Sequence, residues 1–144
     1  PARSTISGLE LGCGAGNNLW PVAKEGFDAH GIDFSPTAIS LCRDAMAKWG
    51  VDFQCHVGAM LHLGFGNGVF DAVADVFAST HLPYPVHQDV YREAFRVLKP
   101  GGWFFSYHPS IKSDCFILDL RSADNPECLV PNLQDPYKNK QSSP

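Results

Sequence analysis

Short apolar runs alternate with amphipathic stretches along most of the chain. Residues 6–11 form an apolar-rich run that stops at a glycine cluster, the pattern of a buried strand. Asn17 or Asn18 can then cap a helix whose apolar positions are Leu19, Val22 and Ala23, with Pro21 near its first turn and Gly26 at its end. Residues 29–33 make a second short strand. Ser35-Pro36 places a capping hydroxyl before a proline suited to the first helical position, and Ile39, Cys42, Ala45, Met46 and Trp49 follow at helical spacing up to Gly50. Val51, Phe53, Cys55 and Val57 alternate with polar residues at the period of a strand. A glycine-rich loop over residues 58–68 leads to an apolar run over 70–77. Beyond Pro83 and Pro85, a helix over 86–98 has a broad apolar face. Pro100-Gly101-Gly102 predicts a turn, and residues 103–107 a last strand. Strands alternating with helices predict an α/β fold, a parallel sheet covered on both faces. Trp49, Phe95 and Trp103 are expected in its core.

The character changes past Pro109. Pro126, Pro131, Pro136 and Pro144 punctuate a polar tail whose one sustained apolar segment is residues 115–120. The expected organisation is a core over residues 1–109 and an irregular tail over 110–144, acting as a substrate lid or as the truncated carboxyl-terminal part of the fold.

Of the 144 residues, 44% are hydrophobic and 18% charged, enough apolar material for a packed core and too little charge for a disordered chain. The formal net charge of −4 points away from nucleic acid and from anionic membrane surfaces. No apolar run is long enough to span a bilayer, and the first residues lack the basic-then-apolar pattern of a secretory signal. The five cysteines, Cys13, Cys42, Cys55, Cys115 and Cys128, show no paired spacing, which predicts free thiols, a cytoplasmic setting and no metal site.

The chemistry concentrates in Glu10-Leu11-Gly12-Cys13-Gly14-Ala15-Gly16-Asn17, where alternate glycines follow a strand and precede a helix. Backbone without side chains can approach a ligand closely there. The spacing is G-x-G-x-G rather than the G-x-G-x-x-G of dinucleotide sites. Glu10 would repel a pyrophosphate and attract a cationic ammonium or sulfonium. Asp33, ending the next strand, suits the two hydroxyls of a ribose, although it can also cap the helix after Ser35. Phe34 offers a ring to a purine.

These residues, together with Gly31-Ile32-Asp33-Phe34-Ser35, Phe70-Asp71-Ala72-Val73 and Leu98-Lys99-Pro100-Gly101-Gly102, resemble the successive motifs of class I S-adenosylmethionine-dependent methyltransferases, from about residue 6 to about residue 109. The resemblance implies a Rossmann-like three-layer αβα sandwich with a mainly parallel central sheet, here without the usual final pair of strands. It implies S-adenosyl-L-methionine as cofactor, with the glycine loop (Gly12, Cys13, Gly14, Gly16) around the methionine moiety and Asp33 on the ribose. The segment Gly58-Ala59-Met60 has Ala59 where the family carries an acid for the adenine amino group, leaving backbone groups, Phe34 and Met60 to hold the base.

Methyl transfer to a small-molecule acceptor is the expected activity. Asp75, His81 and Tyr84 near the end of the fourth strand, and His108 at the end of the fifth, are the candidate bases. Two other readings stand beside it: a non-catalytic or truncated cofactor-binding module, and an NAD(P)-dependent oxidoreductase. Without its final strands the sheet would leave an exposed edge, at which a second copy could pair into a homodimer.

Overall fold

The computed structural model describes residues 1–109. After a single 3-10 turn (Arg3–Thr5), the elements are β1 (Ser7–Leu11), α1 (Leu19–Lys24), β2 (Asp28–Asp33), α2 (Pro36–Trp49), β3 (Gln54–Val57), β4 (Phe70–Val76), α3 (His87–Val97) and β5 (Leu98–Tyr107), with 3-10 turns at Ser79–His81 and Tyr84–Val86. The strands form one parallel sheet in the order β3-β2-β1-β4-β5. Its direction of growth reverses between β1 and β4, and open α/β sheets bind ligands at the carboxyl ends of the strands at such a reversal.

Two cores cover the two faces. On one, Leu9, Leu11, Ile32, Phe70 and Val73 meet Val90, Ala94 and Val97 of α3. On the other, Cys13 and Ala29 meet Leu19 of α1, Ile39 and Cys42 of α2, and Phe53. Side chains of successive strand residues point to opposite faces, so one strand feeds both cores. The result is the expected three-layer αβα sandwich.

Local signals set most boundaries. Ser35 accepts a hydrogen bond from the Ala38 amide at 3.2 Å, Pro36 opens α2, and Gly50 closes it with φ of 64°. Other expectations are corrected. Asn18 makes no capping bond, because its amide is drawn to Glu10. Pro100-Gly101-Gly102 does not separate helix from strand but lies in an irregularity inside β5, where pairing jumps from Phe70↔Leu98 to Ala72↔Trp103. The strand read from Val51 onward begins only at Gln54. Phe95 and Trp103 are 63% and 78% exposed rather than core. Among the described residues β5 borders the sheet, and Trp103, Phe105 and Tyr107, on alternate positions of it, are all exposed. Trp49 does pack, against Trp20 at 5.7 Å between ring centroids.

The thiols also differ from expectation. Cys42 and Cys55 form a disulfide, while Cys13 is free. A separation of 13 residues carries no pairing signature; the packing of α2 against β3 brings the two sulfurs together. The tail, its proposed lid and the missing strand pair lie outside the described residues. Among the described residues no helix is long and apolar enough to cross a membrane, and no group of three or more His, Cys, Asp or Glu could hold a metal ion.

Candidate cofactor and acceptor site

A cavity of about 580 Å³ opens at the carboxyl ends of the strands. Its walls come from the segments after four strands: Gly12 after β1, Ile32 to Phe34 at β2, Gly58 to Leu61 after β3, and Ala78, His81 and Leu82 after β4. Its volume falls in the range of small-molecule sites, roughly 300–1,000 Å³.

The glycine loop owes its shape to residues that cannot carry side chains. Gly12 has φ of 62°, and a Cβ there would come within 2.4 Å of the Ala78 Cβ. The loop after β1 and the turn after β4 can therefore close on each other only with glycine at this position. Gly16 has φ of 81°, and its Cβ would lie 2.8 Å from the Cys42 sulfur. The loop is tied to β2 by Asp33, whose carboxylate accepts from the Gly14 amide at 3.0 Å and from the Ser35 amide at 2.9 Å. Asp33 thus both orders the start of α2 and presents its carboxylate at the cavity wall.

Phe34 lines the same wall and is 79% exposed, and Met60 and Ala59 line it too. The loop carrying Ala59 and Met60 is pinned from below. Arg96 donates to the carbonyls of Leu63 at 2.8 Å and Phe65 at 2.9 Å, while Glu93 accepts from the Leu63 amide at 2.8 Å. The hydrogen bonds from Arg96 hold Glu93 down to about 2. Helical spacing put both residues on α3, but nothing in the sequence tied them to a loop some thirty positions earlier.

Glu10, Cys13, Gly14 and Gly16 do not line the cavity. Glu10 is 6% exposed; one oxygen accepts from the Asn18 side chain at 2.7 Å and the other is buried with no partner. Burial pushes its carboxyl up to about 7, against the opposing effect of the Asn18 hydrogen bond. Burial, with the charges of Glu10 and Asp33, pushes the Cys13 thiol up to about 12, which makes it a packing group rather than a nucleophile.

The candidate bases separate. His81 lines the cavity and is exposed. Tyr84 is 68% exposed and stacks near His87, outside the cavity wall. Asp75 is fully buried and its carboxylate accepts from the Ala78 and Ser79 amides, both at 3.1 Å, and from the Ser79 hydroxyl. It cannot touch a ligand as a base; it holds the turn whose Ala78 faces Gly12. Asp71, at the opposite end of β4, bonds the Ser7 amide and Lys99 and has no contact with the cavity.

The residues present suit an amino-acid nucleoside. A carboxylate and an aromatic residue share one wall, the loop has no room for a side chain at Gly12 or Gly16, and a buried carboxylate oxygen of Glu10 has no protein partner. Ala59 is the one position that offers less than the family pattern.

This fold and this site define the class I methyltransferase architecture. A family model described as a methyltransferase domain matches residues 9–102. The 24-methylenesterol C-methyltransferase 2 of Oryza sativa subsp. japonica is 36% identical over 122 residues, which cover 83% of this chain and 31% of that protein. The sterol 24-C-methyltransferase erg6 of Schizosaccharomyces pombe is 34% identical over 109 residues, covering 74% and 28%. Among solved structures, the PH0226 protein from Pyrococcus horikoshii OT3 superposes with a TM-score of 0.72 at 28% identity, covering 78% of this chain and 50% of that one. A SAM-dependent methyltransferase from Methanosarcina mazei gives 0.68 at 26%, covering 78% and 57%. The chain belongs to the methyltransferase-domain family of enzymes, and its cofactor is S-adenosylmethionine. It spans about a third of the length of the curated relatives it matches. The family match sets aside the oxidoreductase reading.

Proposed function

We propose that the protein transfers a methyl group from S-adenosylmethionine to a small, largely apolar acceptor of the sterol or triterpene type. The observation that carries this reading is the joint wall of Gly12, Asp33 and Phe34 at the point where the sheet reverses direction. Asp33 would hold the ribose, Phe34 and Met60 would flank the adenine, and the glycine loop with Glu10 beneath it would take the cationic amino-acid end. The cofactor supplies an electrophilic methyl group on a sulfonium. The chain's own part is to align the acceptor and to exclude water, since the leaving group is already good. Leu82, beside His81 on the wall from the turn after β4 and away from the residues given to the cofactor, adds apolar surface that suits an apolar acceptor better than a charged one. The sterol C-methyltransferases among its relatives support the same acceptor class.

The test has two arms. Calorimetric titration with S-adenosylmethionine should show saturable binding, weakened about 10- to 100-fold by Asp33→Ala, the loss of charge-assisted hydrogen bonds to the ribose. Unchanged affinity in that variant removes the ribose role. Transfer of labelled methyl to squalene or a 24-methylenesterol should then be measurable. A second reading, a cofactor-binding module without turnover, draws support from Ala59; binding with no transfer to any acceptor in a broad panel favours it.

A further inference from the structure

The disulfide between Cys42 and Cys55 ties together three parts of the cofactor site. Cys42 lies on α2, whose capping residue Ser35 donates its amide to Asp33. The Cys42 sulfur also backs the glycine loop, since a Cβ on Gly16 would come within 2.8 Å of it. Cys55 lies on β3, and the chain runs from that strand directly into Gly58 to Leu61 of the cavity wall. One covalent bond therefore joins the helix and loop beside Asp33 to the strand that feeds the wall of Ala59 and Met60.

The two sulfurs are unequally placed. Cys42 is fully buried, in a core with Cys13, Leu19, Ala29, Ile39 and Phe53. Cys55 is half-buried, and among the described residues β3 borders the sheet. An incoming thiolate reaches the Cys55 sulfur more readily, because exchange depends on access to the sulfur attacked. Two thiols cannot sit as close as two bonded sulfurs, so reduction forces one of them to move. Cys42 has no room to do so against Gly16, and the displacement falls on β3. Cys13, the free thiol of the same core, is pushed up to about 12 by burial and by the charges of Glu10 and Asp33, and does not serve as an exchange partner.

We propose that the Cys42–Cys55 pair is a redox-sensitive clasp on the cofactor site, closed when oxidised and opened by a dithiol. The inference goes beyond the methyl-transfer reading and rests on its placement of the cofactor at this wall. The dithiol supplies two electrons and two protons. One of its thiolates attacks the Cys55 sulfur, the S–S bond breaks, and the Cys42 sulfur leaves and takes up a proton. The second thiolate then attacks its own partner sulfur in the mixed disulfide. The dithiol departs as a disulfide, and Cys55 is released and protonated. With β3 freed from α2, the wall at Ala59 and Met60 loses its fixed position. Affinity for S-adenosylmethionine falls with the fraction of molecules that keep the wall in place.

The test uses the full chain, oxidised with glutathione disulfide or reduced with dithiothreitol. Peptide mapping of the oxidised, alkylated protein should find Cys42 and Cys55 linked to each other. Calorimetric titration with S-adenosylmethionine should give an affinity at least about 10-fold lower after reduction, restored on reoxidation. Cys55→Ser should bind at the level of the reduced wild type and show no response to dithiothreitol. Alkylated Cys42 and Cys55 in the oxidised protein, or either one linked to another cysteine, overturns the proposal. A Cys55→Ser protein that still responds to the reductant overturns it as well. Should that variant fail to fold, the reversible redox series on the wild type decides. Equal, saturable binding in both redox states strikes the clasp alone, whereas no binding in either state strikes the cofactor placement with it.

Discussion

Glu10 and Asp75 are two buried carboxylates on neighbouring strands, β1 and β4, one register position apart: Leu11 pairs with Asp75 where Glu10 pairs with Ala74. The protein completes one and leaves the other unfinished. Asp75 receives two backbone amides and a hydroxyl, with the His108 ring 3.3 Å away. Glu10 receives one side-chain amide and keeps a bare oxygen, and its carboxyl is pushed up to about 7 by burial. A folded chain rarely leaves a buried acceptor unpaired; on the proposed reading the ligand completes the unfinished carboxylate, while the finished one is scaffold.

The sharpest way to break this contrast is Asp75→Ala. It strands the Ala78 and Ser79 amides and should lower stability in denaturant unfolding by roughly 3–5 kcal/mol. A loss below about 1 kcal/mol would mean that the turn after β4 does not depend on this acid.

Glu10→Gln should act in the opposite direction on the ligand-free protein. The folded-state value of Glu10 lies above its ordinary one, 4.5 against about 7. Its contribution is fully present below about pH 4.5 and is lost as pH rises through 7, so the wild type should weaken across that window by up to about 3 kcal/mol. The glutamine variant, without that proton to lose, should show no such slope and be the more stable protein at pH 8. It should also bind S-adenosylmethionine at least about 10-fold more weakly, because the amide cannot offer a negative charge. Parallel pH curves for the two proteins would refute the unfinished-site reading of Glu10.

Ala59→Asp adds an acid on the cavity side, where neither Glu10 nor Asp75 reaches. If the adenine amino group lies there, affinity for S-adenosylmethionine should rise about 10-fold, the gain of one charge-assisted hydrogen bond, approximately 1.5 kcal/mol. No gain would place the adenine elsewhere along the wall of Phe34 and Met60.

Much of the fold was legible from local pattern. The α2 boundaries follow from Ser35, Pro36 and Gly50, because a hydroxyl cap, a proline and a left-handed glycine each act through their own backbone. That Gly12 and Asp33 meet at one cavity wall was equally legible, since they sit at fixed offsets from the ends of two strands. What escaped were relations between distant segments. Asn18 reads as a helix cap from its neighbours, yet it bonds Glu10. Cys42 and Cys55 carry no pairing signal until α2 lies on β3. Phe95 and Trp103 read as core because they are large and apolar, and β5's place at the border of the sheet leaves them exposed.

The sequence alone determined the order of strands and helices and the glycine loop between the first strand and helix, because backbone freedom and capping are properties of residues within a few positions of one another. Only the tertiary structure decided which carboxylate was left with an unpaired oxygen, that Asp75 holds the turn at Ala78 and Ser79, and that Gly12 must make room for Ala78. Hydrogen-bond completion and steric closure depend on what the fold brings near from elsewhere in the chain, and no local pattern records that.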